Sequence, residues 1–233
     1  MEKYPENIRV YDDFLPPEVA QKLYSRVSSI PQQWFSLRKN IVDETSEVRY
    51  SKTWWSIHGD KSPKAHLDET HQQRMTYQFL ATGEHQDNCD CTYCDMVNIL
   101  RNNPAPEVSD HNLIESMLTV YRPGDFLSQH MDSRDNRSWA FTYTLTTGWR
   151  PEWGGILNVQ DNRDGEWYAF VPKFNRLILM DVGMLEESSC NHFVSQVIED
   201  APVNRVTLSG WYGSPFSANN DRWLPNQELD MAS

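Results

Sequence analysis

The sequence has no long apolar run and no excess of positive charge, and each absence narrows the class of protein. Because a membrane helix needs a run of about 18 or more apolar residues, none is predicted here. Lysine and arginine total 21 against 33 aspartate and glutamate residues, a formal net charge of -12. This balance disfavours nucleic acid as a partner, because binding to phosphates requires a basic surface. A basic peptide remains a compatible partner.

Cysteine is also scarce. Three of the four cysteines lie in one short segment, a pattern more typical of a reducing compartment than of a disulfide framework. The N-terminal residues MEKYPEN do not resemble a signal peptide. We therefore expect a cytoplasmic protein that does not act at a membrane. The sequence gives no indication of its oligomeric state.

The second half of the chain is rich in short apolar and β-branched segments separated by turn residues. Typical turns are Gly154-Gly155 and the run from Asp161 to Gly165. These segments predict strands at 116–121, 139–145, 156–159, 166–170, 176–180, 192–197 and 205–212. Strands at such short intervals favour a sandwich or closed jelly roll over alternating βαβ units.

The first half of the chain predicts helices and additional strands. Prolines at 16 and 17, followed by apolar Val19, Leu23 and Val27, predict a helix to about residue 28. A second helix is predicted at Tyr93–Leu100. The fold class is therefore mainly β with flanking helices around a double-stranded β-helix, or jelly-roll, core. We predict one domain over 1–233: N-terminal support at 1–115, a catalytic core at 116–214 and a tail at 215–233.

The triplet His130-Met131-Asp132 follows the predicted strand 116–121. Side chains two apart on an extended chain point the same way, so an imidazole and a carboxylate share one cavity. With His192, sixty residues on, they form the two-histidine, one-carboxylate set that non-haem Fe(II) oxygenases use. A lone H-x-D pair is weak support for a metal site, because such pairs often occur by chance.

The strand predicted at 205–212 strengthens this interpretation. Alternation places one arginine, two hydroxyls and an indole on one face, namely Arg205, Thr207, Ser209 and Trp211. An inward-facing arginine is costly unless it meets an anion, and a dicarboxylate suits its two-pronged guanidinium. The alternative is a surface arginine on an edge strand.

These residues together resemble the catalytic core of the Fe(II)/2-oxoglutarate-dependent dioxygenases, in the branch similar to prolyl 4-hydroxylases. The similarity covers about ninety residues from Tyr121 to Trp211, with weaker similarity over the first thirty. The matching motifs are Tyr121-x-Pro-Gly, His130-x-Asp132, Trp153-Gly-Gly-Ile-Leu157, Pro172-Lys-Phe-Asn-Arg-Leu177, His192, Arg205 and Trp211.

The resemblance implies a role for each matching residue. His130, Asp132 and His192 would be the Fe(II) ligands, Arg205 would pair with the remote carboxylate of 2-oxoglutarate, and Tyr121 would donate a hydrogen bond to it. Thr144 stands where relatives of the hypoxia type place a tyrosine that holds the same carboxylate, and Ser209 or Thr142 would compensate. Arg137 and Trp211 match positions at the substrate entrance, and residues 133–136 match a lid.

The activity implied is O2-dependent hydroxylation of an aliphatic C–H bond in a peptidyl amino acid, proline first, with release of succinate and CO2. A free amino acid or another small molecule is the alternative substrate. A non-catalytic jelly-roll binding module is the alternative from another class. Nucleic-acid demethylation is disfavoured, because the second arginine of that branch is replaced by Trp211.

A second cluster of metal-ligating residues precedes the core. His85, Cys89, Cys91 and Cys94 offer one imidazole and three thiols within ten residues, and this donor set suits Zn2+. Ordinary zinc modules bring ligand pairs from distant segments, whereas this cluster is local. Three reduced thiols in a loop packed on the core are the alternative.

Overall fold

A computed structural model of the chain describes residues 4–27, 30, 36–42, 48–50, 75–81, 92–132, 137–161, 163–183 and 190–213. Its strands are β1 Ile8–Tyr11, β2 Ser36–Val42, β3 Val48–Tyr50, β4 Met75–Ala81, β5 Asn112–Tyr121, β6 Phe126–His130, β7 Trp139–Thr144, β8 Leu157–Gln160, β9 Trp167–Phe170, β10 Leu177–Asp181, β11 His192–Val194 and β12 Arg205–Gly213. The α-helices are α1 Pro17–Val27 and α2 Thr92–Arg101. Short 3-10 turns lie at Pro106–Val108 and Pro151–Trp153.

The strands form one antiparallel sheet that continues from one side of the core to the other. Its order is β1-β10-β7-β12-β5-β4-β6-β11-β8-β9, and β2 pairs with both β3 and β4. Most neighbours in this order are not consecutive in sequence, as expected for a jelly roll. The predicted fold class is confirmed. Because β1, β2 and β4 pair into the same sheet, the N-terminal support is continuous with the core, and the single domain stays a prediction.

The helices cover one face of β5, β7, β10 and β12 with an apolar layer. Leu23 of α1 and Met96 and Leu100 of α2 pack against side chains such as Leu118 and Leu208. Arg26 of α1 also contacts Asp95 of α2. Because alternate residues of a strand face opposite sides, these apolar positions leave the other face of the same strands free for a site.

Asn175 joins the start of α1 to β7 and explains part of the motif around Pro172. Its side-chain oxygen Oδ1 accepts hydrogen bonds from the Leu15 N–H at 3.0 Å and the Tyr143 hydroxyl at 2.8 Å. Its side-chain amide donates to the Leu15 carbonyl at 2.8 Å. The residue has a φ of 61°, in the left-handed region that asparagine tolerates better than most residues.

Most predicted elements appear within a few residues of their expected bounds, but two strands near the site were not predicted. β4 lies between β5 and β6. His130 ends its own strand, β6, rather than following the strand at 116–121 directly. The intervening turn uses Gly124, with a φ of 87°, and the Asp125 carboxylate, which accepts the Arg122 N–H at 2.8 Å.

Among the described residues, neither α-helix has the length and apolar composition needed to cross a membrane. The predicted lid at 133–136 and the predicted tail at 215–233 lie outside the described residues.

Candidate active site

Two neighbouring strands bring His130 and His192 together inside the core. β6 and β11 are antiparallel, and these two histidines are paired in register. Their ring centroids are 4.1 Å apart. Asp132 follows two residues after the end of β6, so the three side chains converge although sixty residues separate the histidines. The sequence predicted this convergence.

The distances within this triad fit a single divalent ion. The Asp132 carboxylate lies 3.2 Å from His192 Nε2 and 3.6 Å from His130 Nε2. One ligand atom from each residue lies within 4.8 Å of the others. Ligand atoms at these separations would be able to hold one divalent ion between them.

Both histidines are oriented by backbone carbonyls. His130 Nδ1 lies 2.9 Å from the Ser128 carbonyl, and His192 Nδ1 lies 3.1 Å from the Cys190 carbonyl. A proton on each Nδ1 directs the Nε2 lone pair towards the centre of the triad. Such outer hydrogen bonds fix the tautomer and the ring orientation of metal-binding histidines.

The electrostatics of the triad hold the Asp132 carboxyl in its anionic form. Burial opposes ionisation of Asp132, but the charges of His192, His130 and Arg137 outweigh burial and lower the Asp132 pKa below its ordinary range. Burial likewise opposes the charged form of His192, yet the Asp132 carboxylate raises the pKa of His192. An anionic carboxylate between two imidazoles is the donor set of a 2-His-1-carboxylate iron site.

Arg205 is buried in the same core without an anionic partner among the described residues. It is 3% exposed, and its Nε forms no hydrogen bond with the described part of the chain. Burial lowers the pKa of its guanidinium. Its Cζ lies 5.0 Å from the centre of the Tyr121 ring. An unpaired buried cation is costly, and the remote carboxylate of 2-oxoglutarate is an anion of the right kind to offset that cost.

Inward-facing hydroxyls continue from Arg205 along β12. Thr207 pairs in register with Thr119 on one side and Thr144 on the other. The Thr119 and Thr207 hydroxyls are 2.6 Å apart. The Ser209 hydroxyl lies 3.3 Å from that of Thr207 and 3.3 Å from that of Thr142. We call Thr119, Thr207, Ser209 and Thr142 the hydroxyl row.

The predicted tyrosine and threonine of the cosubstrate pocket are both buried beside this row. Tyr121 is 3% exposed, and its ring stacks on Tyr77 of β4 at 5.2 Å between centroids. Thr144 is also 3% exposed and ends β7. Their hydrogen bonds to 2-oxoglutarate stay predictions, as does the compensating role of Ser209.

Arg137 and Trp211, predicted at the substrate entrance, lie against each other. The Arg137 guanidinium carbon is 3.6 Å from the centre of the Trp211 ring. Arg137 is 7% exposed and donates to the Glu115 carboxylate at 2.7 Å. The indole Nε1 of Trp211 is buried and has no acceptor among the described residues. Their contact with substrate stays a prediction.

Three neighbours of the site were not predicted. Tyr77 lies on β4, for which the sequence showed no clear strand pattern. Glu115 preceded the predicted start of its strand. Gly155 has a φ of 61°, and a Cβ added there would lie 3.0 Å from Arg205 Cδ; the Gly154-Gly155 pair was interpreted only as a turn and a motif match.

The predicted zinc cluster lies mostly outside the described residues. Cys94 is half-buried on α2, whereas His85, Cys89 and Cys91 are not described. Zinc binding by these four residues therefore stays a prediction.

Comparison with protein families supports the site. Residues 116–213 match the family profile described as the 2OG-Fe(II) oxygenase superfamily. This segment holds the triad, Tyr121, Arg205 and Trp211. The fold and the site define an Fe(II)- and 2-oxoglutarate-dependent oxygenase. Over residues 116–213 the chain matches the 2OG-Fe(II) oxygenase superfamily, and it is an oxidoreductase of the 2-oxoglutarate- and Fe(II)-dependent class. The family prediction is confirmed, and the non-catalytic alternative is set aside.

Solved structures show the same fold at low sequence identity. A Pseudomonas putida prolyl-4-hydroxylase is 19% identical with a TM-score of 0.58, covering 89% of this chain and 92% of that one. A Trichoplax adhaerens prolyl hydroxylase in complex with a hypoxia inducible factor oxygen degradation domain peptide fragment is 16% identical with a TM-score of 0.56, covering 89% and 84%.

A Burkholderia pseudomallei oxidoreductase of the 2OG-Fe(II) oxygenase family is 12% identical with a TM-score of 0.55, covering 89% and 85%. A comparison with curated protein sequences finds no match. At these identities the likeness establishes the fold, and the substrate must be argued from the site itself.

Proposed function

We propose that this enzyme hydroxylates an aliphatic C–H bond of a peptidyl amino acid, proline first. The observation that carries the oxygenase chemistry is the convergence of the triad in one core with a buried Arg205 that has no anionic partner in the described part of the chain. The triad suits Fe(II), and Arg205 suits the carboxylate of a 2-oxo acid. Fe(II) and a 2-oxo acid are the metal and the cosubstrate that this class of enzyme uses.

His130, Asp132 and His192 would hold Fe(II), and Arg205 with Tyr121 and the hydroxyl row would hold 2-oxoglutarate. When bound, the iron and the 2-oxo acid supply the activation of O2. One oxygen atom of O2 enters the substrate C–H bond as a hydroxyl, and the other enters succinate as C1 of 2-oxoglutarate leaves as CO2. The protein itself would hold the Fe(II) and the 2-oxoglutarate in position and exclude water from the site.

The substrate class is inferred from Trp211. Its buried N–H lacks an acceptor among the described residues, and an unsatisfied buried donor costs about 1–3 kcal/mol. A peptide carbonyl would satisfy it. The Arg137 guanidinium stacked on the indole holds the ring in one orientation, which is a reason to expect directional recognition. A fold shared with a prolyl hydroxylase solved with a peptide fragment is consistent with a peptide substrate.

Net charge adds a preference among peptides. A chain with a formal net charge of -12 attracts cationic ligands over a distance set by ionic strength. We therefore expect basic prolyl peptides to give a higher kcat/KM than acidic ones of the same length, with the difference shrinking as salt is added.

The test is turnover with Fe(II), ascorbate and 2-oxoglutarate against a library of prolyl peptides and free amino acids. We expect succinate release together with a product heavier by about 16 Da, the mass of one inserted oxygen atom. Turnover of a free amino acid but no peptide would replace the peptidyl substrate by a small molecule. Absence of succinate release and of 2-oxoglutarate binding would overturn the proposed activity.

A matched pair of variants tests the role of the indole. Trp211→Phe keeps an aromatic ring but removes the N–H, and we expect the peptide KM to rise about tenfold, equivalent to one lost hydrogen bond. Trp167→Phe is the control, because Trp167 is 42% exposed on β9. Equal peptide KM values in the two variants would contradict a hydrogen bond from Trp211.

A further inference from the structure

Arg137 is a buried cation that lies between two carboxylates, one of which belongs to the triad. It donates to Glu115 Oε2 at 2.7 Å, while its Nη1 lies 4.0 Å from Asp132 Oδ1. The Arg137 side chain is 7% exposed, so neither interaction is strongly weakened by solvent. Arg137 therefore makes its close hydrogen bond with Glu115 and leaves Asp132 outside hydrogen-bond distance.

This choice of partner matters for metal binding. Asp132 Oδ1 is also the oxygen that lies 3.6 Å from His130 Nε2, so it faces the space between the ligands. A charge-assisted hydrogen bond from arginine to carboxylate is typically about 2.7–2.9 Å long. If Arg137 closed on Asp132 to that distance, its guanidinium would compete with a divalent cation for the same carboxylate.

The fold fixes Glu115 in the position that prevents this closure. Glu115 pairs in register with Trp211, and the register then shifts so that Tyr212 pairs with Leu113. Ile114 is thus an extra residue in β5, and such bulges often redirect side chains beside active sites. The strands approach so closely here that a Cβ on Gly210 would lie 2.2 Å from the Glu115 carbonyl oxygen.

The Arg137 end is fixed as well. The Ser138 N–H donates to the Tyr212 carbonyl at 2.8 Å, and the guanidinium stacks on the Trp211 ring at 3.6 Å. The backbone beside Arg137 is therefore held, while the guanidinium lies 2.7 Å from Glu115 and 4.0 Å from Asp132, so a small side-chain movement would exchange its partners without any change of the strands. Its balance between Glu115 and Asp132 depends on the charge at position 115.

We propose that Glu115 is a positioning residue that holds Arg137 away from Asp132 and thereby keeps the ligand carboxylate available to the metal ion. Glu115 acts through Arg137 and touches neither metal nor substrate. The proposal concerns metal affinity alone, and it stands whether the substrate is a peptide or a small molecule.

The first test is Glu115→Gln, which keeps the shape of the side chain but removes its charge. We expect the Kd of the metal-free protein for Mn(II), measured by electron paramagnetic resonance, to rise about tenfold, at the lower end of changes seen for outer residues of metal sites. An unchanged Kd would overturn the proposal.

Glu107→Gln is the matched control. Glu107 accepts a hydrogen bond from Arg9 at 3.0 Å, and its side chain is 22% exposed against 26% for Glu115. It also accepts from the Tyr11 hydroxyl. Loss of this remote ion pair lowers stability but should leave the Mn(II) Kd unchanged. Equal weakening of Mn(II) binding by both variants would show a general effect of stability and refute the assignment.

The second test is the double variant Glu115→Gln with Arg137→Met. Without the guanidinium, nothing competes for Asp132, so we expect the Mn(II) Kd to return to that of Arg137→Met alone. Because removal of a buried unpaired cation can also restore stability, the free energy of unfolding of each variant is measured beside its Kd, and a Kd that follows stability alone would refute the assignment. Should Glu115→Gln weaken Mn(II) binding equally with and without Arg137, the action through Arg137 is wrong.

Discussion

The two faces of the same three strands, β5, β12 and β7, have opposite compositions. The outer face is apolar, with Leu118, Phe141 and Leu208 packed beneath the helices at 2% exposure or less. The inner face carries Arg205 and the hydroxyl row at comparable burial for most of its members. Because burial is similar and polarity is not, the comparison separates residues that stabilise the fold from residues that serve the site.

The two faces contribute to the free energy of folding with opposite signs. A buried leucine contributes about 1.5–3 kcal/mol to folding through removal of apolar surface from water. A buried guanidinium without an anion opposes folding. The inner face is therefore stable only because the outer layer and the sheet compensate for it, and substitutions on the two faces should change stability and activity in opposite ways.

The largest expected effect on activity is from His192→Ala. Removing an imidazole from the triad takes away one of the ligands, and even outer residues of metal sites change affinity or activity by about 10–100-fold. We expect turnover of 2-oxoglutarate to fall by more than that, together with loss of high-affinity Mn(II) binding. Retained turnover in the purified variant would remove His192 from the metal site.

Arg205→Met should separate the two faces most clearly. We expect the Kd for 2-oxoglutarate to rise at least about 30-fold, because one partner of a buried ion pair is lost. In the absence of 2-oxoglutarate, replacing this cation, which has no anionic partner among the residues the structure describes, by an apolar side chain should raise the free energy of unfolding by about 1–4 kcal/mol. Urea unfolding measures this, and a strongly destabilised variant would mean that Arg205 has a protein partner.

Leu208→Ala tests the neighbouring residue on the outer face. Leu208 is 1% exposed, and truncation of a buried leucine costs about 2–5 kcal/mol through lost transfer energy and a cavity. The remaining folded protein should bind 2-oxoglutarate with an unchanged Kd. A large change in this Kd without loss of stability would show that the faces are not separable.

The smallest effect is expected at the rim of the outer layer, from Asp12→Asn. The hydrogen bond from Arg176 at 2.5 Å is the main cause that lowers the pKa of Asp12 to about 2, against an opposing effect of burial. Since Asp12 is 40% exposed, the loss should be at most about 1 kcal/mol at neutral pH.

The pH dependence of this loss has a definite sign. The pKa of Asp12 is lower in the folded chain than the ordinary value of 3.8. Its contribution is therefore complete above 3.8 and is lost as pH falls towards about 2. The difference in free energy of unfolding between wild type and Asp12→Asn should vanish over that interval. A difference that persists below it would assign the stabilisation to another group.

Much of this architecture was predictable because it depends on local patterns. Alternation along 205–211 placed Arg205, Thr207 and Ser209 on one face, as the register now shows. Prolines and an apolar stripe indicated α1 within about a residue of its observed end at Val27. The spacing in His130-Met131-Asp132 was sufficient to direct both side chains to one side.

What could not be predicted depends on contacts between distant segments. β4 was missed, although it supplies Tyr77, whose ring stacks on Tyr121. Glu115 was not recognised because its position follows from a register shift that no local pattern encodes. The close approach of Gly155 to Arg205 Cδ likewise arises only when strands remote in sequence are packed together.

The order of amino acids is enough to say which side chains carry charge or hydroxyls and which face of each strand they occupy, since that depends on a two-residue period. Which of these faces meet depends on long-range strand pairing. Pairing of β6 with β11 completes the triad, and burial deprives Arg205 of water, its alternative partner. The partner of Arg137 is decided in the same way, because the short distance to Glu115 is a property of the folded sheet.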